Sequence, residues 1–163
     1  TAHRVWSGPE DQSVRIFLAS DDTELKFRVE VTDDVHVKSP GAASSFMEDG
    51  IQLALAVPGQ NGHWEFGFAE LEDGSPGTHC WIRPDNLAEP RTKLAVSARG
   101  RVTIYEIAIP LAGIGAAPEQ LKRGIQFNLL VNDNDGEGRD GWMQIAPGIG
   151  EAKNPELYPF ILK

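Results

Sequence analysis

The chain of 163 residues is of single-domain size and long enough to bury most of the surface its unfolded form exposes. With 15 Lys and Arg against 24 Asp and Glu, its formal charge of -9 repels polyanions, so nucleic acid is excluded as a natural partner. No apolar run approaches the roughly 18 residues a membrane helix requires, and a single cysteine, Cys80, allows no intrachain disulfide.

Thr1 to Pro9 has neither the basic start nor the apolar stretch of a signal peptide, but a mature secreted domain cut from a longer chain would begin in the same way. Val14, Ile16 and Leu18 then alternate with Arg15 and Phe17, and Leu25, Phe27, Val29 and Val31 alternate with Lys26, Arg28, Glu30 and Thr32. Both stretches have the period of two that a half-buried strand shows. Asp21, Asp22 and Thr23 between them supply turn chemistry, which predicts an antiparallel hairpin.

After a loop rich in Ser, Gly and Pro over Lys38 to Ser45, a second pair is predicted from Ile51 to Val57 and Trp64 to Ala69, joined across Pro58 to Gly62. Further strands are expected at Cys80 to Arg83, Lys93 to Ala98, Val102 to Ile109, Gly124 to Val131, Trp142 to Ile145 and Leu157 to Leu162. Pro118, Glu119 and Gln120 open at most one short helical turn. Many short strands without intervening helices predict an all-β fold, an antiparallel β-sandwich of two sheets in the jelly-roll or immunoglobulin-like manner. No repeat, low-complexity tract or linker divides the sequence, so one domain over residues 1–163, excised from a larger protein, is expected.

A small ligand with both an apolar face and polar edges needs aromatic platforms flanked by side chains such as Asn, Gln, Arg and Glu. Trp64 and Trp6 are expected inside, because a tryptophan in an alternating strand is more often core than platform. Trp81 and Trp142 are evenly balanced between core and surface, whereas Phe46 sits in a Ser-rich loop where burial is harder to arrange. Gln52, Asn128 and Asn132 share outward parity, and Arg83 and Gln144 stand close to tryptophans. The candidate ligand set is therefore Phe46, Gln52, Arg83, Asn128, Asn132, Trp142 and Gln144.

Asp133, Asp135, Glu137 and Asp140 crowd a Gly-containing loop, and hard cations prefer such clustered oxygens, so calcium is the natural ion. A solvated turn, with Arg139 neutralising the carboxylates, is the alternative. Asp33 and Asp34, with Asp49 across a loop, form a second possible oxygen cluster or else cap strand ends. The 4 histidines lack zinc-binding spacing and are expected to be exposed. There is no nucleophile elbow, phosphate loop or dinucleotide fingerprint, and Glu65 with Glu106 is only one of many conceivable carboxylate pairs.

Several blocks in order carry a family resemblance: Leu25 to Asp34 (LKFRVEVTDD), Phe46 to Leu53 (FMEDGIQL), Phe127 to Gly136 (FNLLVNDNDG), Arg139-Asp140-Gly141-Trp142 and Lys153-Asn154-Pro155. Together they resemble the family 9 carbohydrate-binding modules and their DOMON-like relatives, over most of the chain. The resemblance implies a β-sandwich that grips the ends of sugar chains, is often joined to a glycoside hydrolase and frequently holds structural calcium. It further implies an aromatic before the Glu-Asp segment, here Phe46, and a tryptophan before the final Asp-Pro segment, where this chain has Ala152. A glutamine of some members is replaced by Leu130, and the opening segment is shortened to Val5-Trp6.

The expected function is a secreted, non-catalytic module that binds polysaccharide or oligosaccharide and targets a covalently linked glycoside hydrolase or polysaccharide lyase. The alternative is a structural or interaction sandwich without sugar affinity, motivated by Ala152 and Leu130. Haem, held by some DOMON-like domains, is disfavoured because Met47 and Met143 lack an evident axial partner.

Overall fold

The computed structural model describes residues 6–161 of the chain. His3, Val5 and Leu162, which entered the sequence reading, lie outside the described residues. Two antiparallel sheets pack face to face. Strands β1 (Gln12–Ser20) and β2 (Glu24–Asp33) form the predicted hairpin, with Gln12 opposite Asp33 and Ser20 opposite Leu25. Its turn is held by Asp21, whose Oδ1 accepts hydrogen bonds from the Thr23 amide at 2.8 Å and the Thr23 hydroxyl at 2.7 Å.

Strands β3 (Ile51–Ala56), β4 (Trp64–Glu70) and β5 (Pro76–Ile82) follow, then β6 (Lys93–Arg99) and β7 (Val102–Pro110). A short helix α1 (Pro118–Arg123) precedes β8 (Ile125–Asp133), β9 (Gly141–Gln144) and β10 (Phe160–Ile161). The first sheet runs β1-β2-β7-β6, the second β10-β8-β3-β4-β5, with β9 also paired to β8.

Alternation decides which side chains meet between the sheets. Leu25, Phe27, Val29 and Val31 of β2 and Tyr105, Ile107 and Ile109 of β7 face Ile51, Leu53 and Leu55 of β3, Phe66 and Phe68 of β4 and Leu129 of β8 in one core. Trp64 lies inside as expected, stacked on Phe66 with ring centroids 5.8 Å apart.

Three local expectations are corrected. Trp6 is 54% exposed, because it precedes β1 where no facing strand covers it, and its indole donates to the Gln12 carbonyl at 2.7 Å. The Ser-rich loop is not plain coil but holds a 3₁₀ turn, Ala42–Met47, and a second such turn, Pro155–Leu157, replaces the start of the last strand. Helical turns are thus more numerous than the single one expected, since short side-chain-stabilised turns carry no periodicity to read.

Candidate functional site

The outer face of the second sheet is made of the residues that alternate with the core. Gln52 and Ala54 come from β3, Glu65 and Gly67 from β4, Asn128, Leu130 and Asn132 from β8. Two loops cover its edges. The 3₁₀ turn Ala42–Met47 lies over β4 and β5, and the segment after β9 lies over β8 and β3, where Ile149 and Tyr158 pack on Ala54 and Leu130 in a small apolar cluster. Between the two covers remains a cleft of about 280 Å³.

One wall of this cleft is aromatic. Phe46 and Trp81 meet edge to face with centroids 6.0 Å apart, and the Trp81 indole donates to the Ala43 carbonyl at 3.0 Å. A register shift between Glu65 and Phe66 sets Glu65 opposite Ile82 and Phe66 opposite Cys80, so Trp81 is the extra residue of a bulge. Both Trp81 and Ile82 consequently line the cleft. Trp81 lies so close over β4 that a Cβ on Gly67 would sit 2.4 Å from its Cη2 and 2.6 Å from the Ser45 hydroxyl oxygen. Only glycine leaves room for the indole there.

Polar groups make up the remainder of the lining. Gln52 and the buried Glu65 belong to it, and Glu65 Oε1 accepts a hydrogen bond from Lys153 Nζ at 2.5 Å while its Oε2 is buried with no hydrogen-bond partner. Arg139 enters from the loop between β8 and β9, its guanidinium 4.5 Å from the centre of the Trp142 ring. That indole in turn rests on Gly150, where a Cβ would fall 2.5 Å from Nε1. Arg139 Nε and Nη2 are buried and make no hydrogen bond, and burial lowers the guanidinium below its ordinary pKa.

Of the predicted ligand residues, Phe46 and Gln52 line the cleft. Trp142 and Gln144 support it from behind, Gln144 by donating to Glu151 Oε1 at 2.8 Å and accepting from the Gly150 amide at 3.3 Å. Arg83 is exposed beyond the end of β5 and does not belong to the lining. Asn128 and Asn132 are reassigned: both have the predicted parity, yet both are fully buried under the covering loops. Asn128 donates to the Ala146 and Pro147 carbonyls and accepts from the Ala146 and Leu129 amides, and Asn132 donates to the Gly50 carbonyl and accepts from Gln52. Their hydrogen-bonding groups fix the loops that shape the cleft. Ala152 is exposed, so the wall opposite Phe46 offers Ile149, Glu151 and Lys153 in place of a second aromatic.

Trp81, Glu65, Arg139 and Lys153 were noticed in the sequence, but parity did not gather them, because a bulge and two loops bring them together. Glu65 and Glu106 lie on the outer faces of different sheets, so they form no catalytic pair.

A second polar region closes one end of the sandwich. Carboxylate oxygens of Asp11, Asp34 and Asp135 lie within 4.8 Å of one another, as do ligand atoms of Asp33, His36 and Asp49. Asp33 Oδ1 accepts from the Val35 amide, whereas Oδ2 is buried and unpartnered. Burial, together with repulsion from Asp133, Asp34 and Asp11, pushes Asp33 up to about 6. Burial and repulsion from Asp33 and Asp133 push Asp49 up to about 8, despite amide donors from Val37 and Asn134. Carboxylates gathered this closely, with Asp33 and Asp49 raised mainly by burial and one buried oxygen left over, fit a hard divalent cation. The predicted quartet is divided: Asp135 joins Asp11 and Asp34, Asp133 adds its charge beside Asp33 and Asp49, Asp140 accepts from the Asp135 amide at 3.4 Å, and Glu137 is exposed at the loop tip. The described histidines are half-buried, not exposed, and His36 stands 3.3 Å from Glu70.

A family model described as carbohydrate family 9 binding domain-like matches residues 1–160. The chain belongs to that family. Family 9 is a family of binding modules, and the two-sheet architecture recurs in its solved members. One is a family 9 carbohydrate-binding module from Caldicellulosiruptor kristjanssonii in complex with glucose, 20% identical, with a TM-score of 0.70 over 99% of this chain and 82% of that one. Another is a family 9 module from the same organism in complex with cellotriose, 19% identical, with a TM-score of 0.69 over 98% of this chain and 78% of that one. No match is found among the curated proteins.

Proposed function

We propose that the chain is a non-catalytic carbohydrate-binding module whose cleft grips the end of a saccharide chain. The observation that carries this reading is the wall of Phe46 and Trp81 set beside buried polar groups, Glu65 Oε2 and the Arg139 guanidinium, that have no protein partner. An aromatic face accepts the C–H side of a pyranose ring, and the polar groups opposite it meet the hydroxyl edge. Family membership and the glucose and cellotriose carried by the two solved members support the same reading. A short cleft bounded by two covering loops suits a chain end better than the middle of a long polymer.

In this role the module is secreted and concentrates a covalently linked polysaccharide-degrading enzyme on its glycan. Titration calorimetry against glucose, cellotriose and a panel of plant-wall oligosaccharides tests the binding itself. Saturable binding that weakens roughly 30-fold or more in Trp81→Ala is expected, and silence across the panel overturns the reading in favour of a purely structural sandwich.

Calcium completes the proposal as a structural ion at the aspartate end, held by Asp11, Asp34 and Asp135 with Asp33 and Asp49 beside them. It would neutralise carboxylates that otherwise repel one another where β1, β2 and the loop after β8 converge. An ion bound only by the folded state stabilises it by mass action, so exhaustive chelation is expected to lower the melting temperature by about 5 °C or more. An unchanged melt removes calcium from the account and leaves the sugar reading standing.

A further inference from the structure

Four charged side chains line the cleft, and they are not equally answered. Glu65 is paired with Lys153 at 2.5 Å, and Glu151, exposed at the rim, takes the amide of Gln144 at 2.8 Å. Arg139 has neither an ion pair nor a hydrogen bond among the described residues, although the protein carries 24 acidic side chains against 15 basic ones. In so acidic a chain a half-buried arginine without a carboxylate is conspicuous, since a desolvated charge left unpaired is costly.

What holds this arginine is stacking. Its guanidinium lies 4.5 Å from the centre of the Trp142 ring, and Trp142 is seated on Gly150. The ring answers the positive charge from one side but accepts none of its N–H groups in plane, so the cation still lacks an acceptor. A planar guanidinium prepared in this way matches a planar carboxylate, the pairing in which charge-assisted hydrogen bonds are strongest.

We infer that the cleft selects an acidic sugar unit, a hexuronate, whose ring lies against Phe46 and Trp81 and whose carboxylate is received by Arg139. The inference rests on the sugar-binding reading and names the class of sugar for that same site. Burial, which lowers the guanidinium from its ordinary pKa with no carboxylate opposing it, is consistent with a site that waits for an anion. The chain's formal charge of -9 opposes the approach of a long polyanion, so the contact suits a short uronide end rather than a continuous polyuronate.

The test compares matched probes by calorimetry: trigalacturonate and a glucuronate-capped xylo-oligosaccharide, each against its carboxyl-reduced counterpart, with cellotriose as a neutral reference. At least one uronide is expected to bind about tenfold or more tighter than its reduced form, as a charged hydrogen bond contributes, with a preference that shrinks as salt is raised. Arg139→Gln is expected to erase the preference, so that each uronide binds no tighter than its reduced form, with the melting temperature kept, and Arg139→Lys to retain part of the preference. Equal binding of the uronides and their reduced forms, or binding of cellotriose alone, overturns the acidic-sugar inference and leaves the sugar reading intact. A preference untouched by Arg139→Gln overturns the assignment to this residue. Silence of every probe overturns both readings.

Discussion

The outer face of the first sheet carries many charges that answer one another along and across its strands, whereas that of the second carries few and leaves buried polar groups without partners among the described residues. On the first sheet Arg28 donates to Glu30 at 2.9 Å and Glu106 at 3.2 Å, Arg15 to Glu30 at 2.7 Å, Lys26 to Asp21 at 2.6 Å and Lys93 to Glu24 at 2.7 Å. Two of these pairs follow directly from cross-strand register, which sets Arg15 opposite Glu30 and Arg28 opposite Glu106. The same face includes a hollow of about 410 Å³ beside Phe17, larger than the cleft on the other sheet. On the second sheet Glu65 Oε2, the Ser45 hydroxyl and two nitrogens of Arg139 are buried and unanswered. Size alone would choose the other face. A folded chain satisfies its buried polar groups unless something else is to satisfy them, and this difference singles out the smaller cleft.

The most severe way to break the comparison is to remove the aromatic wall. Trp81→Ala and Phe46→Ala are each expected to weaken saccharide binding by about 2 kcal/mol or more, roughly 30-fold, as for a stacked aromatic anchor. Trp81→Ala should have the greater effect, because its indole also holds the Ala42–Met47 turn through the Ala43 carbonyl. Calorimetry reads the affinity and a thermal melt reads the fold. Retained affinity in both variants would mean that the sugar lies elsewhere.

Adding one methyl group tests the same wall from beneath. Gly67→Ala places a Cβ 2.4 Å from Trp81 Cη2, so the indole must move or the turn must lift. Overpacking of this kind costs about 1–3 kcal/mol, and both the melt and the affinity are expected to fall. An affinity unchanged at a lowered melting temperature would show that the position of Trp81 does not matter to the ligand.

These two tests also mark where sequence reading succeeds. The strands and their facing were legible because Leu25 to Val31 and Ile51 to Leu55 keep strict alternation, and one side of each sheet faces a common core. Phe46 was legible because a Ser-rich loop offers an aromatic no core. Trp81 was not, because the bulge at β5 interrupts the alternation with one residue that has no partner in the ladder. Asn128 and Asn132 misled for the opposite reason: parity sends them outward correctly, but the loops that bury them come from residues 145–159 and from Gly50, whose path no period announces. Arg139 and Lys153 arrive on loops from either side of Trp142, and only the folded chain brings them to the same cleft as Glu65.

The smallest expected effect is on the first sheet. Arg28→Ala removes a guanidinium that is 42% exposed on its side chain and whose partners Glu30 and Glu106 remain reachable by water. Exposed pairs of this kind are screened by salt and gain little over hydration, so neither the melt nor the saccharide affinity should move beyond measurement error. Phe17→Ala on the same face should likewise leave soluble-sugar binding unchanged, since that ring is 50% exposed and lies on the opposite side of the sandwich from the cleft. Loss of affinity in either variant would mean that paired charges beside an exposed ring suffice for recognition. The unanswered groups of the second sheet would then no longer distinguish a binding face from a solvated one.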